Sequence, residues 1–338
     1  MHDRPNRREF LKSSAAAALS TAAFQLTAQP LKANPASTAA NIMAQTSNKG
    51  IPTGKLGRLS VSRLFLGCNQ VSGYAHARDL RYVPKLMREY QTDERVLSTW
   101  QLCEQHGINT ILSDPFERPV RLMKQYRKER RGSVQWISEI HPQKYQYEIT
   151  LQDLKENLKE VLGNEPHALY IQGAICDAFV HRGLIDELGE ALEAMKRSGL
   201  PSGLGAHSIE TPKACLKARI QPDFFMKTYH PDDYFSATPR EQRIEFNVDS
   251  RNATNHDNIW DIKPEATRET MTQVKCPWIA FKVLAAGAIE PERAFRFAFQ
   301  GGADFLCVGM FDFYVAENAA LVKKVLGDKV ERIRPWQA

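Results

Sequence analysis

Eight side chains in this 338-residue sequence stand where chemistry could be done: Asp114, Glu139, His141, Gln172, His207, Lys227, His230 and Lys282. Each lies at or just beyond the end of a short apolar run. Glu139 and His141 are two residues apart, so on one extended strand they point the same way. His207 and His230 close two successive runs. Two or three histidines with one or two carboxylates are a usual ligand set for Zn2+ or Mn2+. Glu139, His141, His207 and His230 are therefore the candidate metal ligands, although their spacing is not a recognised metal motif. Such a metal would polarise a carbonyl or stabilise an enediolate.

Lys282 interrupts the apolar stretch Trp278-Ile279-Ala280-Phe281-Lys282-Val283-Leu284. A buried ammonium is costly unless it is paired or used. It could be a general base of lowered pKa, a substrate clamp, a Schiff-base amine, or one half of an ion pair with Glu139. Lys227 has a similar setting, but strand parity can turn it outward. Asp114 precedes Pro115 and reads as a ligand, an acid/base group or a plain turn residue. Gln172 would hydrogen-bond a substrate hydroxyl or hold a histidine tautomer. Glu139, Lys282, Asp114 and Gln172 are the candidate catalytic residues.

These residues need elements to place them. Strands are predicted at Arg63–Cys68, Thr110–Ser113, Val134–Ile140, Ala168–Gln172, Gly203–Ala206, Phe224–Thr228, Trp278–Val283 and Phe305–Gly309. Helical patterns fill Arg95–His106, Leu151–Leu162, Ile185–Ser198, Pro212–Ala218, Arg293–Gln300 and Ala316–Val325. Leu151, Leu154, Leu158, Val161 and Leu162 repeat at helical spacing with charges between them. Strands alternating with helices predict an α/β chain folded as a (β/α)8 TIM barrel. A doubly wound sheet is the alternative, but no Gly-x-Gly-x-x-Gly follows a strand. In such a barrel the strand C-termini carry the site. Two long connections, Asn69–Glu94 and Pro231 to about Thr270, would overhang that face as lids or substrate walls.

Composition supports a globular chain: 43% hydrophobic, 25% charged, with a net charge of only +6. Of that charge, +3 falls in the first 35 residues, where Arg4, Arg7, Arg8, Lys12 and Lys32 face Asp3 and Glu9. The remaining +3 is too small and too mixed to suggest nucleic-acid binding. No apolar run is long enough to span a bilayer. The six cysteines are dispersed, with no CxxC; Cys68 and Cys307 both end predicted strands and are candidates for close approach.

Asn6-Arg7-Arg8-Glu9-Phe10-Leu11-Lys12, followed by the weakly apolar Ala15–Ala28, resembles the bacterial twin-arginine export motif. The expected organisation is a signal peptide over 1–33, a linker over 34–50 and the barrel over 51–332. That implies the twin-arginine translocation machinery as a partner, a periplasmic or secreted location, and no stable membrane insertion after cleavage. The route carries folded proteins, which raises the expectation of a preloaded cofactor. It lowers that of a freely exchanging NADPH.

Within the barrel, Gly54-Lys55-Leu56-Gly57 with Val61–Gly67, His106-Gly107-Ile108-Asn109, Glu190–Gly199 before Gly203-Leu204-Gly205, Pro277–Gly287 and Glu317-Asn318 resemble the aldo/keto reductase superfamily. The resemblance covers about 51–330, nearly all of the expected mature chain, and implies that superfamily's barrel. It would also imply NADPH-dependent carbonyl reduction by Asp, Tyr, Lys and His. Here the matching positions read Leu112, no tyrosine, Glu139 and Gln172. The pair that grips the nicotinamide amide reads His207-Ser208, and no Lys or Arg lies between Gly309 and Asn318 to hold the 2′-phosphate. Tyr229, at the position that stacks on nicotinamide, is the surviving cofactor residue.

Three functions are consistent with this. The leading one is a non-redox enzyme, a lyase or isomerase, that abstracts a proton beside the carbonyl of a small sugar-like or hydroxycarbonyl molecule. Glu139 or Lys282 is its base, and a Zn or Mn site is its electrophile. The alternative is a divergent NAD(P)-dependent oxidoreductase, and the third a ligand-binding protein on a dead enzyme scaffold.

Overall fold

The computed structural model describes residues 50–77, 80–246 and 259–338. The expected export motif, the expected signal segment and most of the expected linker lie outside the described residues. Among the described residues no helix is long and apolar enough to cross a membrane.

The chain opens with a hairpin, β1 (Thr53–Leu56) and β2 (Leu59–Ser62), then enters β3 (Leu64–Gly67) and three helices, α1 (Asn69–Ser72), α2 (Val83–Tyr90) and α3 (Asp93–Gln105). Strand and helix then alternate: β4 (Thr110–Ser113), α4 (Glu117–Glu129), β5 (Gln135–Ile140), α5 (Leu151–Leu162), β6 (Ala168–Ile171), α6 (Gly173–His181) and α7 (Ile185–Lys196). The second half continues with β7 (Ser202–Ala206), α8 (Glu210–Ala218), β8 (Phe224–Thr228), α9 (Pro264–Gln273), β9 (Trp278–Phe281), α10 (Pro291–Gln300), β10 (Phe305–Gly309) and α11 (Asp312–Gly327). Strands β3 to β10 are all parallel and close on themselves, β10 pairing with β3. This is the expected (β/α)8 barrel.

Local sequence explains the element ends. Thr150 and Asp153 form a reciprocal capping box at the start of α5. Glu290 caps α10, and Pro291 takes the first helical position, where its missing N–H costs nothing. The hairpin and helices α1, α2, α4, α6 and α9 are not marked by the sequence patterns above. Helix α6 is apolar on nearly every side because it is buried, so its 3.6-residue periodicity is faint.

Strand parity sorts the side chains. Phe65, Leu112, Ile137, Tyr170, Phe224, Met226, Ile279, Phe305 and Cys307 fill the barrel interior, with Phe65 stacked on Phe305 at 5.2 Å. Gly203 leaves room there, since a Cβ would sit 2.4 Å from the Phe224 ring. The alternate residues, such as Leu66, Trp136, Leu169, Phe225 and Trp278, pack outward against the helices. Leu56 and Val61 of the hairpin join the interior cluster and close the N-terminal end of the barrel.

The C-terminal residues help close that end. Arg63 lies 4.1 Å from the Trp336 ring and donates to the carbonyls of Asp304 and Ala338. The packing of the barrel therefore runs on past residue 332 to the last residue.

Candidate active site at the barrel mouth

Glu139 is on the interior face of β5 near its C-terminal end. Its two oxygens are both engaged: Tyr170 O–H donates to Oε1 at 2.5 Å, and His141 Nδ1 lies 2.9 Å from Oε2. The shared strand that places Glu139 and His141 together also sets His141 against the Phe116 ring. Burial, and next the Glu139 charge, push the Tyr170 hydroxyl well above its ordinary pKa, so it remains a donor.

Lys282 follows β9. Its Nζ lies 2.6 Å from Nε2 of His76 and 4.0 Å from the centre of the Trp260 indole. Among the described residues no carboxylate comes within ion-pair distance of it, so the alternative in which it pairs with a carboxylate such as Glu139 is not supported. Burial pulls its pKa down to about 7, and the Glu139 charge opposes that shift. His76 is pushed well below its ordinary pKa by burial and by Lys282, so its ring is neutral and Nε2 can accept.

Two non-glycine residues meet here in left-handed backbone, Lys282 at φ 56° and His76 at φ 43°. Such conformations cost on the order of 1–3 kcal/mol each and gather at functional sites.

The long connections do overhang this face. The segment after β3 brings His76, and the one after β8 brings Phe246 and Trp260. Their rings surround His207, at 4.5 Å for Phe246 and 5.4 Å for Trp260.

The other candidates take different roles. Asp114 is buried, and its carboxylate accepts from Ser72 Oγ at 2.5 Å and from the Phe116 amide at 3.1 Å. It ties the end of β4 to α1, and burial raises its pKa. Gln172 caps α6, its Oε1 accepting from the amides of Ala174 and Ile175. That oxygen is committed to the helix and is unavailable to a substrate hydroxyl. Lys227 has outward parity, and its three donors go to the His207 carbonyl and to both oxygens of Thr228.

The metal set read from the sequence is not assembled. His230 uses both ring nitrogens: Nδ1 donates to the Pro231 carbonyl, and Nε2 accepts from the amides of Trp260 and Asp261. No lone pair remains for a metal. Burial holds that ring neutral, with its pKa down to about 4. His207 turns Nδ1 to Asp177 at 3.3 Å. Asp177 also accepts from the His207 amide and from Thr211. Among the described residues no three His, Cys, Asp or Glu side chains gather as ligands. Glu139 and His141 remain together as a hydrogen-bonded pair.

Tyr229 is also corrected. It packs outward, stacked on Phe297 at 4.8 Å and edge-on to Trp278, so it does not face the mouth. Several positions where the resemblance would place a nicotinamide dinucleotide are engaged within the protein. Asp312, in the first turn of α11, is held by Tyr90 and Arg95. His207 is locked to Asp177, and Ser208 Oγ accepts from the Glu210 amide.

Four residues of this site had not been singled out: Tyr170, His76, Trp260 and Asp177. Tyr170 was within reach, because it shares interior parity with Ala168 on a predicted strand. His76 and Trp260 arrive from loops, where no periodicity fixes direction. All six cysteines are free thiols, and burial pushes the Cys68 and Cys307 thiols above their ordinary pKa.

No protein-family model and no curated protein matches the sequence. Solved structures do match. A putative aldo-keto reductase of Pseudomonas aeruginosa aligns over 81% of this chain and 96% of its own, with 18% identity and a TM-score of 0.52. The holo form of an aldo-keto reductase from Bacillus halodurans covers 81% and 91%, with 13% identity and a TM-score of 0.55. A Bombyx mori aldo-keto reductase in complex with NADP covers 81% and 88%, with 10% identity and a TM-score of 0.52. At these identities the likeness is one of fold: the chain shares the (β/α)8 barrel of these structures.

Proposed function

We propose that this chain is an exported acid/base enzyme acting beside the carbonyl of a small hydroxycarbonyl or sugar-like molecule, without net redox change. The observation that carries the reading is that the barrel mouth holds both a hydrogen-bonded carboxylate, Glu139, and an amine of lowered pKa, Lys282, that among the described residues has no carboxylate at ion-pair distance.

The roles follow from the contacts. Glu139 takes the proton from the carbon next to the carbonyl. Tyr170 fixes one of its oxygens. The Nδ1 of His141, 2.9 Å from the other, can hold or release a proton without heavy-atom movement. Lys282 supplies the positive charge that an enediolate oxygen needs, from a position fixed against the His76 and Trp260 rings. Protein side chains thus fill the electrophilic role first assigned to Zn or Mn. Export by the twin-arginine route remains part of this proposal, resting on the Arg7-Arg8 motif.

The test is exchange of the proton beside the carbonyl. Glycolaldehyde, glyceraldehyde and dihydroxyacetone are incubated in heavy water with the protein, and the carbon-bound signal is followed by NMR. Wild type is expected to catalyse exchange, and Glu139→Gln to lose it by about 10²–10⁴-fold. Equal exchange in both would remove Glu139 from the role. Tight binding of these compounds without exchange would favour the binding-protein reading.

A further inference from the structure

Lys282 has a more specific capacity. We propose that its Nζ condenses with the carbonyl carbon of the hydroxycarbonyl substrate to form an imine, making the lysine a covalent catalyst. This rests on the proton-transfer reading above and replaces polarisation of the carbonyl by a bond to it.

The surroundings of Nζ fit that chemistry. An ammonium engaged by a carboxylate is held charged and poorly nucleophilic. The Lys282 ammonium instead faces a neutral imidazole at 2.6 Å and an indole face at 4.0 Å. His76 Nε2, which Asn69 Nδ2 also approaches at 3.3 Å, is an acceptor ready to take one ammonium proton. Burial favours the free amine in the same direction. Both Lys282 and His76 stand in left-handed backbone, a conformation that costs free energy and gathers at functional sites.

The step balances without an oxidant or a metal. The ammonium passes one proton to His76 and becomes a free amine. Its lone pair forms the C–N bond, and the carbonyl π pair moves to oxygen. That oxygen receives the proton from His76 and a second from the nitrogen, and leaves as water, giving a protonated imine. Loss of the adjacent C–H proton to Glu139 sends its electron pair into a new C=C bond, and the C=N pair returns to nitrogen. Hydrolysis restores the amine and the carbonyl compound.

The experiment is reductive trapping on the full chain. Glycolaldehyde, glyceraldehyde or dihydroxyacetone is added, followed by borohydride, and the modified peptide is identified by mass spectrometry. The expected result is a single reduced adduct on Lys282 at concentrations that leave surface lysines unmodified. His76→Gln is expected to slow trapping at least 10-fold while leaving Lys282 in place. No adduct at Lys282 with any of the three compounds would overturn the proposal. Exchange that persists in Lys282→Arg would also overturn it, because arginine keeps the charge and cannot form the imine; the proton-transfer reading would survive that result. An adduct on Lys282 in a protein without proton exchange would do the reverse.

Discussion

The two ends of the barrel treat charge in opposite ways. At the N-terminal end Asp304 is fully buried, and every direction around it is answered. It accepts from Arg334 at 2.7 Å, Arg332 at 3.3 Å, the Gln337 amide at 2.9 Å and the Trp278 amide at 3.1 Å. Arg63 and Arg332 stack on Trp336 beside it. At the C-terminal end Glu139 is met by a phenol and an imidazole, and Lys282 by a neutral ring and an indole. The closed network is structure. Fewer partners leave the mouth's groups free to act on something else, and in this fold the mouth is where the site is built.

The largest expected effect breaks the closed end. Asp304→Asn leaves Arg332 and Arg334 buried without their carboxylate, and removing one partner of such a network costs about 3–5 kcal/mol. Denaturant unfolding should show a loss of that size. A loss under about 1 kcal/mol would mean that the two ends do not differ as argued.

A second test separates the mouth's structural histidine from its chemical groups. His230 is neutral when folded, with a pKa near 4 against an ordinary value of 6.5. Between those values the unfolded chain binds the extra proton, so its contribution is intact above pH 6.5 and is lost as pH falls toward 4. The full span is on the order of 3 kcal/mol. The stability difference between wild type and His230→Gln should shrink across that window, as measured by unfolding at a series of pH values. A difference that stays constant would mean that His230 is not held neutral. Asp177 has the opposite slope, because burial lifts its pKa to about 7 and stability is lost as pH rises through that value. Comparing the His230 pair removes that common background.

The smallest effect sharpens the picture at Glu139. Tyr170→Phe removes one hydrogen bond to the carboxylate, worth about 1 kcal/mol. Proton exchange should fall about 10-fold, with stability changed by no more than that amount. Unchanged exchange would reduce Tyr170 to a packing role.

Much of the fold was legible because its strands are short apolar runs with clear borders. Thr110–Ser113, Phe224–Thr228 and Phe305–Gly309 coincide with their predicted bounds. The predicted Pro231–Thr270 connection was less so: it includes most of α9, whose apolar face is thin. Glu139 and His141 were legible as neighbours because a period of two residues fixes strand side chains. Tyr229 was misplaced by a resemblance, since parity at that position sends the ring outward. His230 was misread because a histidine after a strand looks alike whether it meets a metal or two backbone amides. His76 and Trp260 depended on long connections, whose paths no local pattern records.

Lys282→Met gives the most direct test of the central claim, with unfolding stability and proton exchange measured on the same preparation. The account predicts a protein at least as stable as wild type, because an amine without a carboxylate partner is replaced by an apolar chain of similar length, and a loss of exchange. A variant destabilised as severely as Asp304→Asn, or one that still exchanges protons at the wild-type rate, would contradict it.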